Sequence, residues 1–112
     1  MLRIADFSRV LAGPYATMML ADLGAEVIKV ERPVTGDDTR SWGPPYIDDG
    51  NSTYFAAVNR NKTSVVLDLT TEVGKSAAIE LIKSCDVLVE NFAPGAMAKF
   101  GLDYVSVPSN LN

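Results

Sequence analysis

Histidine is absent from this chain of 112 residues, which removes Ser-His-Asp and Cys-His nucleophilic arrangements and every imidazole-held metal at once. Cysteine is almost absent as well. The single Cys85 has no partner for an internal disulfide, and its apolar surroundings read as a core thiol. With one thiol and no imidazole, no metal site is expected. No apolar run approaches the ~20 residues of a spanning helix, and residues 1–12 lack the long apolar core of a signal peptide, so no membrane partner is expected. A basic excess is missing too. Lys and Arg total 10 against 14 acidic residues, a net charge of −4, and the signs are interspersed. That argues against nucleic acid, whose partners show a basic patch. What is present is 47% hydrophobic residues in a length that fits one domain. A chain of this size buries somewhat over ~60% of its unfolded surface, enough for a core without staples.

The order of elements alternates. Residues 3–7 form a short extended run with Ile4, Ala5 and Phe7. Pro14 opens a helical stretch over 15–23, where a missing N–H costs nothing, and Gly24 ends it. Residues 25–31 are the clearest strand: Val27, Ile28 and Val30 are β-branched, and the run predicts burial on both faces. A polar segment follows over 32–52, rich in Gly, Pro and Asp, too long for a bland connection. A short helix is expected over 53–58 and a strand over 64–69. Thr70 or Thr71 can cap a helix over 72–84 with Val73, Ala77, Ile79, Leu81 and Ile82 mostly on one side. Residues 86–90 read as another strand buried on both faces. Pro94 or Gly95 begins a last short helix ending near Gly101. This alternation predicts an α/β fold with a parallel sheet and right-handed crossovers. Ligands bind such sheets outside the carboxyl ends of the strands, here residues 8–13, 31–32 and 90–95.

Individual residues leave two readings each. Residues 8–14 follow a strand and open a helix, where a phosphate-binding turn would sit. Only Gly13 of a G-x-G-x-x-G pattern is present, so strand-to-helix punctuation serves equally. Glu31 reads better as a solvated loop carboxylate than as a ribose-binding acid. Arg32 can clamp a phosphate bidentately or stand as an exposed structural arginine. Asn91 and Phe92 offer an amide and an aromatic face suited to an adenine, or an Asn turn beside a core ring. Residues 59–62 mix two amides with two cations and fit a solvated turn. Trp42 fits a lid or an interface.

The stretches S-R-V-L-A-G-P at 8–14, A-D-L-G-A-E-V-I-K-V-E-R-P at 21–33 and G-D-D-T-R-S-W-G-P-P at 36–45 are joined by N-R-N-K-T-S at 59–64 and D-V-L-V-E-N-F-A-P-G at 86–95, running on to G-L-D-Y at 101–104. In this order and spacing the chain resembles the class III coenzyme A-transferases, the formyl-CoA transferase and carnitine-CoA-transferase group. The resemblance implies the N-terminal part of a Rossmann-like, CoA-binding domain. It puts Val10, Leu11 and Ala12 beside the pantetheine and thioester and Arg32 at a CoA phosphate. Leu67 and Phe92 would line the adenine or pantetheine path, and Asn91 would supply a polar contact. Lys99 stands where some members carry a phosphate-contacting arginine. Leu11 departs from the glutamine of formyl-CoA transferases, which makes formate and oxalate poorer substrates.

The activity implied is transfer of CoA from an acyl-CoA donor, succinyl-CoA among the candidates, to a carboxylic acid through an aspartyl nucleophile. That aspartate would lie beyond Asn112, so no catalytic residue is expected here; Asp6, Asp68 and Asp86 read as structural. The CoA thioester is substrate, and no tightly bound cofactor is expected. Family members form interlocked homodimers, and a cytoplasmic location is expected, or a mitochondrial one if a targeting segment is missing. Members begin with a short lead before the first strand, and Asn112 falls about where a further strand would begin, so the sequence reads as trimmed at both ends. The α-methylacyl-CoA racemase branch shares the fold, but Glu31-Arg32-Pro33 and Glu90-Asn91-Phe92 favour the transferase. An inactive fragment that binds CoA or only pairs with a partner chain is the rival from another class.

Overall fold

The computed structural model describes residues 1–103; Tyr104 of the last motif and the strand expected near Asn112 lie outside them. Strand β1 (Arg3–Asp6) leads into helix α1 (Ala12–Asp22), which carries Pro14 in its first turn as expected. The helix buries Pro14, Thr17, Met18 and Ala21, spaced by three and four residues so that one side faces the sheet. Strand β2 (Glu26–Glu31) is buried from Val27 to Glu31, on both faces as its apolar run predicts. The polar segment is not a structureless loop. It holds a 3-10 turn (Asp38–Ser41) and a small antiparallel pair, β3 (Tyr46–Asp48) with β4 (Asn51–Ser52). Ser52 then caps α2 (Thr53–Ala57) by accepting from the Phe55 N–H.

Strand β5 (Lys62–Val66) begins two residues earlier than the β-branched pattern suggests, because Lys62 pairs in register with Val27. Thr71, not Thr70, caps α3 (Glu72–Lys83) by accepting from the Gly74 N–H. Gly74 permits a close approach, since a side chain there would overlap the Asp68 carbonyl. Strand β6 (Val87–Val89) and α4 (Ala96–Lys99) follow, with Gly95 at φ 84° before the helix.

The four longer-range strands form one parallel sheet in the order β5-β2-β1-β6. Helices cover both faces. On one, Ala5, Phe7 and Val30 pack against Ala78 and Ile82 of α3, Met97 of α4, Cys85 and Leu102. On the other, Ile4 and Val27 pack against Ala21 of α1. Residues 86–90, expected to be buried on both faces, depart from that reading. β6 is an edge strand, Val87 is exposed, and Leu88 and Val89 are half-buried. An apolar run reports the composition of a strand and not its rank in the sheet.

Candidate functional site

Strand alternation puts Asp6, Lys29, Glu31, Lys62 and Ser64 on the α1 face. Each finds a partner there. The Lys62 ammonium lies 3.2 Å from Asp6 and donates to the Pro14 carbonyl at 2.9 Å and the Asn59 side-chain oxygen at 2.9 Å. Asp6 also accepts from the Thr17 hydroxyl at 2.6 Å and from the Ser8 N–H at 3.0 Å. Lys29 meets Asp37 at 2.9 Å, and Arg40 grips Glu31 through two bonds of 3.0 and 2.9 Å. Ser64 donates to the same Glu31 at 2.9 Å. Burial pulls the Lys62 ammonium below its ordinary value despite Asp6. Burial pushes the Asp37 carboxyl up, but the Thr39 N–H and Lys29 more than reverse this, and it ends below the ordinary carboxylate range.

These contacts overturn two expectations. Glu31 is buried and ion-paired, not a solvated loop carboxylate, and Lys62 is 1% exposed at its side chain, not part of a solvated turn. Gly13 proves to be a packing position: a side chain there would overlap Ser8. Cys85 is a buried, free thiol raised by burial, as a core thiol should be.

A cleft of about 320 Å³ opens on the other side of these pairs, bounded by all four strand ends. Phe7 and Arg9 come from the end of β1, Val30 to Arg32 from β2, Leu67 to Thr70 from β5, and Phe92 and Ala93 from β6. The convergence expected from topology is therefore present. Its floor is apolar, and Phe92 meets Phe100 edge to face at 6.3 Å. The size falls at the lower end of small-molecule sites.

Of the sequence-selected residues, the cleft brings together Arg32, Leu67 and Phe92. Asn91 lies beside it, bonded to the main chain of Arg9. Val10 is half-buried at φ 76°, while Leu11 and Ala12 are exposed where α1 begins; none of the three lines the cleft. Lys99 is exposed on α4, also away from the lining. Arg9 and Asp37 line the cleft without having been singled out. Arg9 stands in the 8–14 stretch, but nothing local shows that a residue just past a strand turns inward. Trp42 is half exposed and stacks edge to face on Tyr54 at 5.4 Å. Among the described residues, no group of His, Cys, Asp and Glu is placed to hold a metal, and no helix is long and apolar enough to cross a membrane.

Comparison with known proteins decides the family. The family model described as CoA-transferase family III matches residues 2–110. The chain belongs to that family. This family III chain is 56% identical over 106 residues to the succinyl-CoA:glutarate CoA-transferase of Mus musculus, covering 95% of itself and 24% of that protein. It is 50% identical over 111 residues to the succinate–glutarate CoA-transferase of Agrobacterium fabrum, covering 95% and 28%. A crystal structure of a CAIB/BAIF family protein from Brucella suis superposes with a TM-score of 0.90 at 49% identity, over 95% of this chain and 29% of that one. The chain thus spans about a quarter of the length of these relatives.

Proposed function

We propose that this segment is the CoA-binding part of a transferase that moves CoA from succinyl-CoA to a dicarboxylic acid. The carrying observation is the cleft itself: in a family III chain, four strand ends bring two arginines and an aromatic face together. Arg9 and Arg32 supply positive charge for phosphates, and Phe92 with Leu67 supplies an apolar wall for the adenine or pantetheine. Val10, Leu11 and Ala12 lie outside the cleft lining at the start of α1 and are assigned to the pantetheine arm. Lys99 is assigned to the rim, reaching a phosphate only with side-chain movement. The succinyl donor and glutarate-like acceptor follow the names of the two relatives above.

The nucleophile is assigned to an aspartate beyond Asn112. Its carboxylate attacks the thioester carbonyl and expels CoA thiolate, leaving a mixed anhydride. The thiolate attacks the aspartyl carbonyl, releases succinate and leaves an aspartyl-CoA thioester. The acceptor carboxylate displaces the thiolate again, and its return to the acceptor carbonyl regenerates the aspartate. The residues described here bind and orient; they do not react. Assembly as an interlocked homodimer belongs to the same reading.

A chimera in which residues 1–112 replace the aligned quarter of the mouse relative should exchange CoA between succinyl-CoA and labelled glutarate. Residues 1–112 alone should show no exchange above a protein-free control. A folded but inactive chimera, or exchange by the isolated segment, would sink the assignment.

A further inference from the structure

Most of the charges facing the cleft are already paired. Glu31 is held by Arg40, Asp37 by Lys29, and Asp68 accepts from the Thr70 N–H at 3.0 Å and from its hydroxyl at 2.5 Å. Arg32 is paired with Asp38. Among the described residues Arg9 is the cleft's cation without an ion pair. Its guanidinium instead packs over Phe92, 4.6 Å from the ring centre. Burial and then the charge of Arg32 pull it below its ordinary value, although Asp37 acts in the other direction.

The backbone that carries Arg9 is held unusually firmly. Asn91 accepts from the Arg9 N–H at 2.9 Å and donates to the Arg9 carbonyl at 2.7 Å, so both polar ends of its amide are engaged. Lys29 donates to the Ser8 carbonyl at 3.0 Å, and the Val10 N–H faces Asp37 at 3.3 and 3.4 Å. Val10 itself sits at φ 76°, a region that β-branched residues avoid unless the surroundings impose it. Side chains from β2, the polar segment and the turn after β6 therefore fix residues 8–10.

We propose that Arg9 is a second oxyanion-binding side chain of the cleft, beside Arg32, and that Asn91 is its positioning residue and not a ligand contact. The identity of the oxyanion as a CoA phosphate rests on the reading above; the oxyanion chemistry does not. This assigns to Asn91 a different task from the polar contact that the resemblance implies. The geometry supports this because each end of the amide already bonds the Arg9 main chain.

The test is calorimetric titration of the 112-residue chain with CoA and separately with inorganic pyrophosphate, with circular dichroism confirming that each variant is folded. Arg9→Ala should weaken both by about tenfold or more, the loss of a charge-assisted bond. Arg9→Lys should recover part, because a point charge lacks the fork. Asn91→Ala should weaken both by about threefold or more on the same basis of lost alignment, and Asn91→Ala combined with Arg9→Ala should bind no more weakly than Arg9→Ala alone. Should Asn91→Ala unfold, Asn91→Asp carries the same test, since it keeps the acceptor and loses the donor. Pyrophosphate binding that depends on Arg9, without CoA binding, would uphold the inference and sink the CoA reading. Unchanged affinity in Arg9→Ala, or no binding of either anion by the unmodified chain, overturns the inference. Additive losses would show that Asn91 touches the ligand itself.

Discussion

Arg32 is already engaged in this structure, and that shapes what its removal should do. Its Nε donates to the Thr35 hydroxyl at 2.8 Å and the Gly36 carbonyl at 3.1 Å, and its Nη2 pairs with Asp38. A phosphate must compete with the Asp38 carboxylate for the same fork. Arg32→Ala should weaken CoA binding by about 1.5–3 kcal/mol, the range of a charge-assisted bond, and Asp38→Asn should tighten it by removing the competitor. Calorimetry on the two variants checks both signs; unchanged affinity in each would remove Arg32 from the site. At this scale the sequence was partly legible. Arg32 and Phe92 stand out because strand ends and residue chemistry coincide there, whereas Leu67 comes only from the family resemblance. Lys29, Glu31 and Lys62 were not read as buried ions, because their partners Asp37, Arg40 and Asp6 lie 8, 9 and 56 residues away. Burying a charge depends on which partner arrives, and local composition is silent about that.

The element that most changes in meaning is the polar segment over 32–52. Its length alone signals function, but length does not show how it is tied down. Two ionic joints hold it to β2: Asp37 on Lys29 and Arg40 on Glu31, with Arg40 also packed 3.9 Å from the centre of Phe55. Asp37 further caps the 3-10 turn by accepting from the Thr39 N–H at 3.0 Å. Its carboxyl is held below the ordinary range, so the sign of the linkage is fixed. The contribution is fully present above the unfolded carboxylate value of about 3.9 and is lost as pH falls through the lower folded value. Asp37→Asn should therefore reduce stability at neutral pH and make the acid limb below about pH 4 shallower, by up to one proton. Urea melts of both proteins across pH 2–7 measure this. Parallel acid limbs would show that Asp37 does not carry the dependence. The strands and the two longer helices were legible to within a few residues, because β-branched runs and a 3.6-residue period encode them locally. The hairpin β3–β4 was not, since its residues are fully polar or exposed and show no alternation.

At the scale of the whole molecule, the architecture leaves apolar surface uncovered. Along α1 and its two caps, Leu11, Tyr15, Met19 and Leu23 recur every fourth residue and are 48%, 50%, 52% and 84% exposed. Such spacing puts them along one stripe beside the buried side that holds Met18 and Ala21. The sheet has open edges as well: among the described residues nothing pairs with β5 or β6 on their outer sides, and Val66 and Val87 are exposed there. The sheet has four strands with helices on both faces, yet a row of exposed apolar residues remains along α1 and its two ends. A contiguous apolar stripe with unprotected parallel edges favours association over solvent. The 112-residue chain is therefore expected to self-associate in the micromolar range and to bind a dye that reports exposed apolar surface. Tyr15→Glu together with Met19→Lys should reduce both, because they place charges on the stripe without touching Met18 or Ala21. Sedimentation velocity with parallel dye fluorescence measures it. A sharp monomer boundary, no dye binding and a cooperative melt in the unmodified chain would show that the stripe is too small to drive association and that the two faces of the sheet close the core unaided.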